Sequence, residues 1–218
     1  MDANILTSRS LPLASANKLV RSTYQLLALA LFVGGATAML ATALQAPPMH
    51  FILLLVGFYG LYFALIKMRN SAWALLLMLG LSAFLGYSVG PILTYYLAMP
   101  QGGELVATAL GTTGLVFAGL SAFTLISKKD FSFLQGFLVA GALILLATIV
   151  IGLFVDLSAF SLAISAAFVL FYSCIILYET SRLMHDPNAN YVLAAASLFV
   201  SIYALFLNFL HLFAAGGE

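Results

Sequence analysis

Charge is the scarcest property of this chain, with Asp, Glu, Lys and Arg making up 7% of its 218 residues, where a soluble domain carries about a quarter. So thin a polar coat excludes an ordinary water-soluble fold. The net charge of +1 leaves no basic field for nucleic acid and no acidic field for cationic partners. Cysteine is nearly absent as well. Cys174 stands alone in an apolar run, which excludes an internal disulfide and reads as a small packed hydrophobe. The motifs of metal-dependent and nucleotide chemistry are missing: there is no HExxH, P-loop or GxGxxG. Gly111-Thr112-Thr113-Gly114 has no activating partner, and His50 and His185 in loops with His211 on a helix lack ligand spacing. No catalytic residue, metal or cofactor is expected.

What the chain has in abundance is hydrocarbon, at 64% apolar residues. A bilayer core about 30 Å thick takes helices of roughly 20 apolar residues. Hydropathy places such runs at Thr23–Leu44, Phe51–Ile66, Trp73–Ala98, Leu105–Ile126, Phe131–Val155, Ser158–Tyr178 and Tyr191–Phe213. The expected fold is therefore an all-α integral membrane protein, a bundle of seven transmembrane helices. The breaks are short, Gln45–His50 with two prolines, basic Lys67–Asn70, Gly-rich Pro100–Glu104 and basic Ser127–Asp130. Turns this short make neighbouring helices antiparallel. Ala41-Thr42-Ala43 has the look of a signal cleavage site. The run before it exceeds the 7–15 residues of a signal peptide, so the first span is read as retained.

Lys and Arg concentrate on the cytoplasmic side of membrane proteins. With the N-terminus inside, Arg9, Lys18 and Arg21, then Lys67 and Arg69, then Lys128 and Lys129, then Arg182 all fall in cytoplasmic segments. The layout expected is a cytoplasmic tail over 1–21, a transmembrane domain over 22–214 and an outer tail over 215–218. Met1–Asn17 is polar, contains Pro12 and is read as a disordered segment available for capture.

Small residues mark candidate helix contacts, because close backbone approach drives association where the solvent is itself apolar. Gly86 and Gly90 form a GxxxG pair; Gly34, Gly35, Gly111, Gly114, Gly119 and Gly136 extend the expectation to other spans. Pro91 should kink or break the third span. Tyr95 and Tyr96 then fall where an interfacial aromatic belt belongs.

In the last span Ser197, Ser201, Asn208 and His211 share one helical face, beside Ala194 and Ala204. That stripe should face the bundle interior, either as interhelical hydrogen bonding or as the lining of a polar path. Glu179 is the one acid close to the end of a long apolar run, with Arg182 three residues on. An ionisable group there signals function, yet a local ion pair accounts for it equally. Asp130 and Asp156 read as caps or solvated turns and Asp186 as a turn former.

Three groups of residues carry a resemblance to a known family. Gly86-Tyr87-Ser88-Val89-Gly90-Pro91, Leu177-Tyr178-Glu179-Thr180-Ser181 and the polar-striped seventh span resemble the Bax inhibitor family of seven-helix membrane proteins over essentially the whole chain. Lys129-Asp130-Phe131-Ser132-Phe133-Leu134 is similar to a bacterial inner-membrane branch of it. That branch implies a non-enzymatic modulator, and possible substrate, of the membrane protease FtsH, acting by direct association in the inner membrane. The wider family implies a proton-sensitive calcium leak closed by two carboxylates. In that alternative Glu179, Arg182, Ser201 and Asn208 would line or gate the pore, and Ca2+ or H+ would be partners. Ser201 stands where the second carboxylate is expected and cannot share a proton with Glu179, so the resemblance implies no coupled pH sensor here.

Overall fold

The computed structural model describes residues 13–216 apart from 153 and 187. Most of the tail expected over Met1–Asn17, together with Gly217 and Glu218, lies outside the described residues. Within them the chain forms α1 (Leu13–Ala43), α2 (Phe51–Lys67), α3 (Trp73–Leu97), α4 (Gly102–Ser127), α5 (Leu134–Gly152), α6 (Ser161–His185) and α7 (Tyr191–Gly216). A single 3-10 turn over Ser158–Phe160 leads into α6. Six of these helices are long and apolar enough to cross a membrane, and α2 is a shorter apolar helix of 17 residues.

Helix ends differ from the hydropathy reading in ways that have local causes. Hydropathy falls at Glu179-Thr180-Ser181-Arg182, but nothing there breaks backbone hydrogen bonding, so α6 continues to His185. His185 is thus helical, not the loop residue expected from its sequence surroundings. α1 likewise begins at Leu13, ahead of the apolar run. α4 stops where Lys128 adopts the left-handed conformation at φ 51°, its N–H bonded to the Thr124 carbonyl. Pro91 does not break α3, which runs through it from Trp73 to Leu97. The proline removes only its own donor, and a helix packed among neighbours tolerates that loss.

α7 is the most enclosed helix. It packs against α6, α4, α1 and α3, and it buries Ala194, Ala195, Leu198, Leu205 and Leu210. α1 and α3 form the most extensive pair. Their closeness requires Gly86 and Gly90: a Cβ on Gly86 would strike the Gly34 carbonyl and Thr37 Oγ1, and one on Gly90 would strike the Ala41 Cβ. Thr42 Oγ1 crosses the seam to donate to the Gly90 carbonyl at 3.2 Å. The glycines expected to pack in α4 and α5 do not. Gly111, Gly114, Gly119 and Gly136 have nothing within 4 Å of an added Cβ, because those faces of the helices have no neighbour. α5 packs on α6 and buries no residue along its length.

The basic loops meet at one end of the bundle. Asn190, just before α7, donates from Nδ2 to the Arg69 carbonyl at 3.1 Å and to Asn70 Oδ1 at 3.3 Å. Its Oδ1 accepts the N–H groups of Val192 and Leu193, capping α7. The Phe131 N–H donates to Ser181 Oγ at 2.9 Å, and Ser181 Oγ donates to the Lys129 carbonyl at 3.2 Å. At the opposite end the Pro100–Glu104 turn and the end of α7 border a cavity of about 620 Å3.

Candidate functional site

Glu179 sits near the end of α6 on the side that faces α7. Its position there follows from helical spacing: α6 buries Ile176, Glu179, Thr180 and Leu183, one stripe at intervals of three and four. Glu179 is only 8% exposed. Oε1 accepts from Arg182 Nη1 at 3.3 Å, and Arg182 Nε lies 3.5 Å from Asp186 Oδ2, so one guanidinium is shared between two carboxylates. Oε2 is buried without a hydrogen-bond partner, although Ser197 of α7 and Tyr62 of α2 face the same carboxylate. A buried, under-satisfied carboxylate oxygen is uncommon and marks a place where a proton, cation or donor would be favoured.

The four residues expected to act together are only partly assembled. Glu179 and Arg182 touch. Ser201 is buried one turn beyond Ser197, and its hydroxyl donates to the Ser197 carbonyl of its own helix at 2.8 Å. Asn208 lies seven residues further, about 10 Å along the axis, and its Nδ2 donates to the Ala204 carbonyl at 2.8 Å. Each donates within α7, and among the described residues no hydrogen bond joins either to Glu179.

Other residues carry the interhelical polar contacts. Ser88 Oγ and Tyr203 OH share a hydrogen bond at 3.0 Å between α3 and α7, and Tyr24 OH and Thr180 Oγ1 approach to 3.5 Å between α1 and α6. These partners are separated by 115 and 156 residues, and no local pattern announces such pairs. Asn190 was detectable, since Asn before an apolar run is a helix-start signal.

Below Glu179, toward the basic loops, a polar cavity of about 220 Å3 is lined by Asp130, Ser132, Tyr178, Ser181, Arg182, His185 and Asp186. His185 Nδ1 lies 2.9 Å from the Ser181 carbonyl, which requires the ring to donate there. The backbone N–H of Ser132 holds Asp130 below the usual carboxylate range, and the nearby His185 ring acts in the same direction. At the other end the Ser158 N–H does the same for exposed Asp156. Both aspartates bond the N–H two residues on, at 2.8 and 2.9 Å, which is the geometry of Asx turns.

Comparison with known proteins gives this geometry a family. A protein of Pseudomonas aeruginosa, uncharacterised, is 47% identical over 200 residues, covering 91% of this chain and 90% of that protein. YccA of Escherichia coli K12, named a modulator of FtsH protease, is 43% identical over 198 residues, again 91% of this chain and 90% of that one. An uncharacterised membrane protein of Vibrio cholerae is 38% identical over 195 residues, 89% and 87%. A family model described as "Inhibitor of apoptosis-promoting Bax1" matches residues 16–218. Matched by that model over residues 16–218 and 43% identical to YccA across nine-tenths of both chains, this chain belongs to the Bax inhibitor family of membrane proteins.

Proposed function

We propose that this protein is an inner-membrane modulator of the FtsH protease that binds the protease directly, crosses the bilayer seven times and has its N-terminus in the cytoplasm. The observation that carries the reading is the 43% identity, across nine-tenths of both chains, with a protein named for that role. The clustering of Arg69, Lys129 and Arg182 at one end supports the orientation, since that end would face the cytoplasm. Modulation by binding requires no catalytic machinery. Residues 1–17 would be the segment the protease engages. Co-purification with FtsH from native membranes, with the full chain and with residues 1–17 removed, tests both parts. Recovery of FtsH with the full chain supports association, and failure to recover it refutes it.

A second reading, an ion leak, is favoured by one observation: the unpartnered Oε2 of buried Glu179. Glu179 and Arg182 would gate the path, with Ser201 and Asn208 along it and Ca2+ or H+ as the permeant ion. With serine at position 201, such a leak would lack a steep two-carboxylate pH dependence. Purified protein in calcium-dye liposomes distinguishes the readings. A wild-type calcium flux that changes severalfold in Glu179→Gln, with FtsH association unaltered, would put the leak first.

A further inference from the structure

The bundle leaves one crevice that its own side chains do not fill. α1 and α4 each pack on α3, α6 and α7. Between them a space of about 280 Å3 opens sideways, walled by Gly35 and Met39 of α1 and Leu110 of α4 and floored by Phe199 and Tyr203 of α7. The floor is tight, because Phe199 is buried and a Cβ on Gly34 would come within 3.1 Å of its ring. The rim is open. Met39 and Leu110 are exposed, and a Cβ on Gly35 meets nothing within 4 Å.

Three properties define what fits. The one polar side chain on the lining, among the described residues, is Tyr203, and its hydroxyl is already engaged with Ser88 Oγ. Water would find no partner there, and apolar cavities stay dry. The volume is at the lower edge of small-ligand pockets, roughly 300 Å3 and upward, so the occupant is slender. Finally, the lining runs from Gly34 and Phe199, near mid-helix, toward Met39 and Leu110, away from the basic loops. From Leu31 to Met39 the rise is about 12 Å, well inside a hydrocarbon layer about 30 Å thick.

We infer that this crevice binds one acyl chain of a phospholipid, entering from the leaflet opposite the basic loops and lying between α1 and α4 with its end against Phe199. The site extends beyond the FtsH reading and does not depend on it. Lipid surrounding the protein touches the outer faces of α1 and α4, but reaching the buried floor on α7 requires a chain inside the crevice.

The full-length protein, reconstituted in phosphatidylethanolamine vesicles carrying a phospholipid with a photoreactive group at the acyl terminus, tests this by peptide mapping. Wild type should be labelled on the α7 peptide containing Phe199 and Tyr203. Gly35→Leu, whose Cβ would meet nothing within 4 Å and whose side chain would occupy the rim, should reduce that labelling at least fivefold. Leu110→Trp narrows the rim from α4, should do the same, and decides the matter if Gly35→Leu does not fold. Gly60→Leu, on the open face of α2, should label as wild type. Undiminished α7 labelling in both rim variants would overturn the proposal, as would an unlabelled α7 in wild type. A change in oligomeric mass in both rim variants would also overturn it, since a second copy would then be the occupant.

Discussion

Arg182 lies between two carboxylates in unlike surroundings, Glu179 buried and Asp186 partly exposed. Replacing either partner of the buried pair therefore has unequal consequences. Arg182→Gln leaves the Glu179 carboxylate buried with neither oxygen charge-paired, whereas Glu179→Gln leaves Arg182 with Asp186 and some access to water. The first should lower stability by about 1–3 kcal/mol and the second by distinctly less, read as thermal unfolding in detergent. Asp130 offers a pH-dependent counterpart outside the helices. Its folded pKa is depressed, so its contribution is present above the unfolded value and is lost as pH falls through the folded one. Unfolding temperature should therefore drop more steeply on acidification below about pH 4 in wild type than in Asp130→Asn. The Glu179–Arg182 pair was legible in sequence because it is local, at i and i+3. Ser88 with Tyr203 was not, since only the packing of α3 on α7 brings them together.

Helix contacts show how identical sequence signals acquire different meanings. Gly86 and Gly90 in α3, and Gly111 and Gly114 in α4, all look like contact glycines, yet only the first pair meets a neighbouring backbone. Gly86→Leu should accordingly prevent α1 and α3 from closing and sharply reduce folded protein. Gly111→Leu should change stability by no more than about 0.5 kcal/mol. Fluorescence-detected size exclusion of the two variants checks the contrast. Element ends were readable to within a few residues where prolines, glycines or basic residues interrupt the apolar runs. The extension of α6 to His185 was not, because hydropathy reports where a bilayer would end, and a helix continues until its hydrogen bonding is stopped. Likewise the central place of α7 was foreshadowed by its polar stripe, while the peripheral place of α5 had no sequence counterpart, because α5 is apolar on nearly every side and marks no face for a neighbour.

For the whole molecule, composition and the spacing of apolar runs carried the fold class, since a bilayer imposes helix length and internal hydrogen bonding together. Seven crossings with the basic loops inside is a claim about orientation that labelling can test. In a Cys174→Ser background, Gln101→Cys should react with a membrane-impermeant thiol reagent from outside, and Lys128→Cys only after permeabilisation; external labelling at 128 would contradict the arrangement. The candidate site was less legible than the fold. Its residues were identifiable as types, but whether Ser201 and Asn208 reach Glu179 depends on rotamers that bond them within α7. The most direct test of the functional account uses purified FtsH in liposomes degrading a membrane-protein substrate. Adding this protein to the bilayer should slow that degradation in proportion to the amount incorporated, with FtsH captured by it in the same vesicles. An unchanged degradation rate, at ratios where the protein exceeds the protease, would contradict modulation by direct association.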